Sequence, residues 1–220
     1  MVIIEHPPIA QYRLQIGRFI LQTSSEELKQ IGIAWLLISV AFAILNTNGD
    51  LAGFVSAGFV AALLASGLTV GIGFLFHELA HKIVAQHYRC WAEFRADFTM
   101  LMLAIAMSFF GFLFAAPGAV YIRGNITKKQ NGIISLAGPF MNFVLALLFL
   151  AGYLAGIKQG ILGTIVYEGF TINSWLGLFN MIPFGWFDGA KIIDWDRRAY
   201  FISVFALAFL GFVIPLFLLR

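Results

Sequence analysis

The stretch Ile72-Gly73-Phe74-Leu75-Phe76-His77-Glu78-Leu79-Ala80-His81 sets two imidazoles and a carboxylate into an apolar run that extends from about Gly53 to His87. Read as helix, that run measures roughly 50 Å at ~1.5 Å per residue, against a hydrocarbon core of ~30 Å. The end carrying His77 to His81 therefore belongs near a membrane interface. Residues four apart on a helix differ by only ~40° around the axis, so His77 and His81 project from one face and can share a tetrahedral Zn²⁺. Glu78 lies ~100° further round, suited to act as a general base on a metal-activated water rather than as a ligand. A carboxylate at mid-bilayer depth costs ~2.5–3.5 kcal/mol on insertion scales, which argues that it has a function.

Composition fixes the class independently. The 220 residues are 60% hydrophobic and 11% charged, with mean hydropathy +0.88. Ordinary soluble domains carry ~25% charged residues, so a soluble globular protein is excluded and an α-helical polytopic membrane protein is expected. A net charge of +3 and the absence of a nucleic-acid motif exclude a nucleic-acid binder. Cys90 is the only cysteine, so no internal disulfide framework exists. Residues 1–30 read as a polar N-terminal lead-in, with Glu5, His6, Pro7 and Pro8 preceding any apolar run, unlike a cleaved signal peptide. Loose alternation from Tyr12 to Leu21 suits a strand or interfacial segment. Residues 31–220 read as a single integral membrane domain without repeats, holding about five to six transmembrane helices.

Local signals place the elements. Ser24 with Glu27, and Thr127 with Gln130, match capping boxes that open helices running to about Leu45 and Gly156. Asn46-Thr47-Asn48-Gly49-Asp50 is turn chemistry. From Trp91 to Phe98, Phe94, Ala96 and Phe98 alternate with Glu93, Arg95 and Asp97, the two-residue period of a half-buried strand. Ala119 to Ile122 also looks strand-like. Further spans run from about Ile161 to Ile182, closed by Pro183, and from Ala199 to Leu219.

Met100 to Ala116 either crosses the membrane or re-enters as a hairpin, and the basic residues decide. With re-entry, Arg13, Arg18, Lys29, Lys82, Arg89, Arg95, Arg123, Lys128, Lys129, Lys191, Arg197 and Arg198 share the cytosolic side, 12 of the 14 basic residues, while Lys158 and Arg220 lie outside. With crossing, the split falls to 8 against 6, hardly a bias. Re-entry, or short β elements after the zinc-motif helix, is the expectation, with the site toward the cytosolic side of a multi-pass cell-membrane protein.

Zinc held by two histidines needs a third protein ligand and one open position. On the cytosolic side Glu93, Asp97, Asp188, Asp194 and Asp196 are candidates. Asp188 stands out, because Asn180 to Gly189 closes an apolar span with Pro183 and presents one carboxylate among aromatic residues; Asp188-Gly189 read blandly is a turn. Asn142, inside an apolar run, serves either as polar glue between helices or as a contact to substrate backbone. Asn180 is either a helix-end cap or active-site support.

His77 to His81, then Ala137-Gly138-Pro139-Phe140-Met141-Asn142, then Leu176-Gly177-Leu178-Phe179-Asn180 through Pro183 to Asp188-Gly189, resemble in content and order the site-2 protease family of intramembrane zinc metalloproteases. The likeness covers roughly residues 31–198. It implies one Zn²⁺ per chain on His77, His81 and Asp188, Glu78 as catalytic base, Asn142 and Asn180 near substrate, and a hairpin edge alongside. It also implies a peptidase acting within the lipid bilayer on transmembrane protein substrates. Ala80 stands where the family often has glycine and Gly185 where a second proline is common; neither removes a ligand. With no soluble peptide-binding insert after the zinc-motif span, a minimal member is expected. The alternative is a membrane scaffold or zinc-binding protein that binds transmembrane helices without cleavage; intact ligands together with Glu78 speak against it.

Overall fold

A computed structural model describes residues 12–16, 19–47, 56–113 and 117–218. The lead-in residues Glu5 and His6, the turn positions Asn48 to Asp50, and Ala116 lie outside the described residues.

The chain opens with an antiparallel hairpin, β1 (Tyr12–Ile16) and β2 (Phe19–Thr23), where the loose alternation predicts a strand. Helix α1 (Ser25–Asn46) starts at the expected cap: Ser24 Oγ accepts the Glu27 N–H at 3.1 Å. The reciprocal half of the capping box is missing, because the Glu27 carboxylate is drawn away to Lys82 and Phe94. At Thr127 both halves are present.

The long apolar run is one continuous helical rod over 31 residues, Ala57–His87. It comprises α2 (Ala57–Ser66), a π-helical turn (Gly67–Gly71) and α3 (Ile72–His87). The Gly67 carbonyl, which accepts the Ile72 N–H of the wide turn, also accepts the Trp35 indole N–H from α1 at 3.0 Å. Beyond α3, β3 (Trp91–Ala96) leads to α4 (Phe98–Ser108), and β4 (Gly118–Arg123) returns antiparallel to β3 with Trp91 opposite Arg123 and Ala96 opposite Gly118. Asp97 N–H donates to Pro117 O at 3.1 Å, so the excursion leaves and returns at one point. At ~1.5 Å per residue α4 is also too short to cross ~30 Å of hydrocarbon. The pairing of β3 with β4 agrees with the expectation of short β elements after the zinc-motif helix.

Two antiparallel helices follow, α5 (Lys128–Leu154) and α6 (Gly160–Asn180), then the short α7 (Asp188–Trp195). The last rod runs from α8 (Arg197–Ala208) through a π-helical turn (Phe209–Val213) into α9 (Ile214–Leu218). The extra residue in that turn accommodates Pro215, which has no N–H to continue the ladder. Among the described residues, four helical stretches are long and apolar enough to cross a membrane: Ser25–Asn46, Ala57–His87, Lys128–Leu154 and Arg197–Leu218. Helix α6, with 21 residues, has the length of a fifth, but Glu168, Asn173 and Ser174 make it more polar. The outward residues Ile202, Phe205 and Phe212 would be an aggregation hazard in water and are ordinary against lipid.

Small clusters knit the bundle. Ala34, Ile38, Val70, Phe74, Phe94 and Leu101 join α1, the long rod, β3 and α4. Ala146, Leu150, Phe170 and Leu210 join α5, α6 and the last rod. Strand β3 is not half-buried as its alternation predicts: Glu93 is buried beside Phe94, because Ser24 Oγ donates to its Oε1 and Arg95 Nη2 lies 3.0 Å from its Oε2. Lys82 is no loop charge either; it is buried against Glu27.

Candidate metal centre

Helices α3 and α5 meet along two stripes of four-residue spacing, Gly73–His77–His81 on one and Ile134–Gly138–Asn142 on the other, running in opposite directions. Each histidine is fixed by the facing stripe. His77 Nδ1 lies 2.6 Å from Asn142 Oδ1, and His81 Nδ1 lies 2.7 Å from the Ile134 carbonyl oxygen. Both partners are acceptors, so Nδ1 carries the proton in each ring and Nε2 is left as the donor atom for a metal. The rings cross nearly at right angles, 83°, with centroids 4.7 Å apart. Gly138 lies between them: a Cβ there would come closer than 3.0 Å to both Nε2 atoms.

Asp188 closes the arrangement from 111 residues further along the chain, its Oδ2 lying 3.2 Å from His77 Nε2 and 3.1 Å from His81 Nε2. It opens α7, and Gly189 beside it packs onto the Met181 and Ile182 carbonyls just beyond α6, where a side chain would strike Met181 O. The Asp-Gly pair thus does more than turn the chain. Lys191 Nζ stands 3.7 Å from the other Asp188 oxygen. His77, His81 and Asp188 are 3%, 8% and 7% exposed.

This donor set fits zinc. Ligand atoms ~2.0–2.1 Å from a tetrahedral Zn²⁺ stand about 3.3 Å from one another, close to the separations found. Nitrogen, nitrogen and carboxylate oxygen are borderline donors of the kind zinc takes. The ligand-capable atoms of His77, Glu78 and His81 lie within 4.8 Å of one another. Glu78 Oε2 accepts the Val120 N–H of β4 at 3.0 Å, which turns its carboxylate toward the hairpin.

Asn142 is fully buried and its amide is spent inside the chain: besides His77, its Nδ2 donates to Gly73 O at 3.1 Å and Asn173 Oδ1 at 3.0 Å. That arrangement matches the polar-glue reading. Asn180 donates to Leu176 O at 2.9 Å within its own helix. Sequence reasoning passed over Asn173, 0% exposed, which donates to Gly169 O at 2.8 Å and so backs Asn142. An asparagine in an apolar helix was the available signal. It also passed over the Ile134 carbonyl, which no side-chain pattern marks. His87 packs on Tyr88 at the end of α3.

A donor cluster of this kind inside a bundle of membrane-length helices has the makings of a membrane metalloenzyme. MJ0611 of Methanocaldococcus jannaschii is 36% identical over 197 residues, 89% of this chain and 96% of its own length. Rip3 of Mycobacterium tuberculosis is 31% identical over 176 residues, 76% of this chain and 38% of its own length. Both bear the name "Putative zinc metalloprotease". No protein-family model and no solved structure matches the chain. The chain belongs to the site-2 protease family of zinc metalloproteases, and its cofactor is zinc.

Proposed function

We propose that this protein hydrolyses peptide bonds within the transmembrane segments of other membrane proteins, with its site toward the cytosolic side. The observation that carries this reading is the meeting of His77, His81 and Asp188 beside Glu78, inside a bundle whose rods are long and apolar enough to cross a membrane. His77, His81 and Asp188 hold the metal. When bound, zinc supplies Lewis-acid activation of a water and of the scissile carbonyl.

The chain's own residues do the rest. The Val120 N–H orients the Glu78 carboxylate through Oε2; Glu78 takes the proton of the attacking water at Oε1 and returns it to the leaving amine. Asn142 holds the His77 ring, and the Ile134 carbonyl holds His81. A helical segment hides its carbonyls in its own hydrogen bonds, so the target bond must first be unwound. Among the described residues β4 pairs only with β3, and its other edge points at Glu78 through Val120. An unwound segment can add to that edge by backbone pairing, which brings its carbonyls to the site. Asn180 sits at the end of α6 as support for this region.

Incubating the purified protein in lipid nanodiscs with a single-span substrate tests the reading. Zinc-dependent cleavage within the span supports it. One bound zinc per chain with no cleavage of any single-span or soluble peptide would favour the scaffold alternative.

A further inference from the structure

The buried charges that this chemistry leaves unused grip the β3–β4 hairpin. Lys82 lies one turn beyond Glu78 on α3, and Lys82 and Glu27 are 1% and 0% exposed. Lys82 Nζ donates to Glu27 Oε2, which also accepts from Thr23 Oγ1 at 2.6 Å. The other oxygen, Glu27 Oε1, accepts the Phe94 N–H at 2.9 Å. Along the same edge Gln30 Oε1 accepts the Ala96 N–H at 3.0 Å, and Gln86 Nε2 donates to Ala92 O at 3.0 Å. Side chains of α1 and α3 therefore stand in for a further strand on the outer edge of β3.

Phe94 is paired across the hairpin with Val120, whose N–H reaches Glu78. The hairpin is thus tied to α3 twice: β3 through Glu27 to Lys82, and β4 directly to Glu78, four residues apart on one helix face. A pair serving only to join α1 to α3 would not need the Phe94 amide.

We propose that the Glu27–Lys82 pair is a positioning device that sets the height of the open β4 edge over Glu78, and so selects which peptide bond of an added segment is cut. This rests on the reading of the chain as a protease of transmembrane segments. A strand slipping by one residue presents a different carbonyl, so loosening the hairpin spreads the cut over neighbouring bonds.

The test uses the full chain in nanodiscs and the double variant Glu27→Gln/Lys82→Met, which removes both charges while leaving an acceptor for the Phe94 N–H. We expect one zinc per chain as in wild type, product masses from several adjacent bonds, kcat/KM lower by up to about 10²-fold, and faster hydrogen exchange across residues 118–123. If the double variant does not fold, Gln30→Ala, which removes the Ala96 acceptor and an exposed hydrogen bond to Glu26 and leaves both buried charges in place, takes its place with the same readouts. A single unchanged cut position with wild-type exchange over 118–123 overturns the proposal. If wild type cuts no single-span substrate while the variant exchanges faster, the protease reading fails and the clamp stands.

Discussion

The backbone N–H of Val120 donates to the Glu78 carboxylate across 3.0 Å, which ties a strand edge to the acid-base residue of the site. Glu78→Gln keeps an acceptor for that N–H and removes the group that carries the proton. We expect hydrolysis to fall by at least about 10²- to 10⁴-fold with zinc content unchanged. Metal analysis of the purified variant beside a cleavage assay checks both halves; turnover at the wild-type rate would remove Glu78 from its role.

Asp188→Ala deletes one of three proposed ligands and leaves α7 packed through Gly189. Zinc should be lost to a chelator far more readily than from wild type, with the helical content intact. Because zinc stabilises only the folded state, excess zinc at ~1,000 times its dissociation constant should protect wild type by about 4 kcal/mol and the variant by almost nothing. Thermal unfolding with and without added zinc reads this directly.

Asn142→Ala leaves the His77 Nδ1–H without its acceptor. Removing such an outer-shell partner typically weakens metal binding by ~10–100-fold. Asn173→Ala, one step further out, should act in the same direction and less strongly. If Asn142 instead served mainly to bind substrate, its loss would raise KM and leave the rate of zinc release untouched.

Gly138→Ala puts a methyl group against both Nε2 atoms. The membrane fold should survive, since α5 tolerates alanine well, while zinc stoichiometry falls well below one per chain. A fully loaded Gly138→Ala protein would contradict the placement of the metal between α3 and α5.

Lys82→Met alone strands the Glu27 carboxylate in the interior and should cost about 3–5 kcal/mol, whereas Glu27→Gln/Lys82→Met should come close to neutral. Denaturant titration of the three proteins decides it. Equal losses in the single and double variants would mean that the pair is not a buried ionic unit.

Much of the site was legible because a helix makes geometry out of spacing. The four-residue interval puts His77 and His81 on one face whatever surrounds them, and the cost of carboxylates near lipid drew attention to Glu78 and Asp188. The asymmetry of basic residues favours re-entry of Met100 to Ala116 over crossing, and the antiparallel return of β4 onto β3 is compatible with it. Less could be read where a side chain's partner lies far along the chain. The alternation of β3 missed the burial of Glu93, because Ser24 and Arg95 compensate its charge. The Ser24 capping box failed at Glu27 because Lys82 and the Phe94 amide offered a better-compensated site for the same carboxylate.

The amino-acid sequence by itself determined that this is a helical membrane protein with a His-Glu-His turn on its longest apolar rod, because composition, period and length are local quantities. Only the tertiary structure decided which carboxylate meets those imidazoles, which atoms lock their rings, and that the hairpin edge looks onto Glu78. Those are contacts between segments up to 111 residues apart, fixed by how α3, α5 and α7 pack, and no local pattern encodes them.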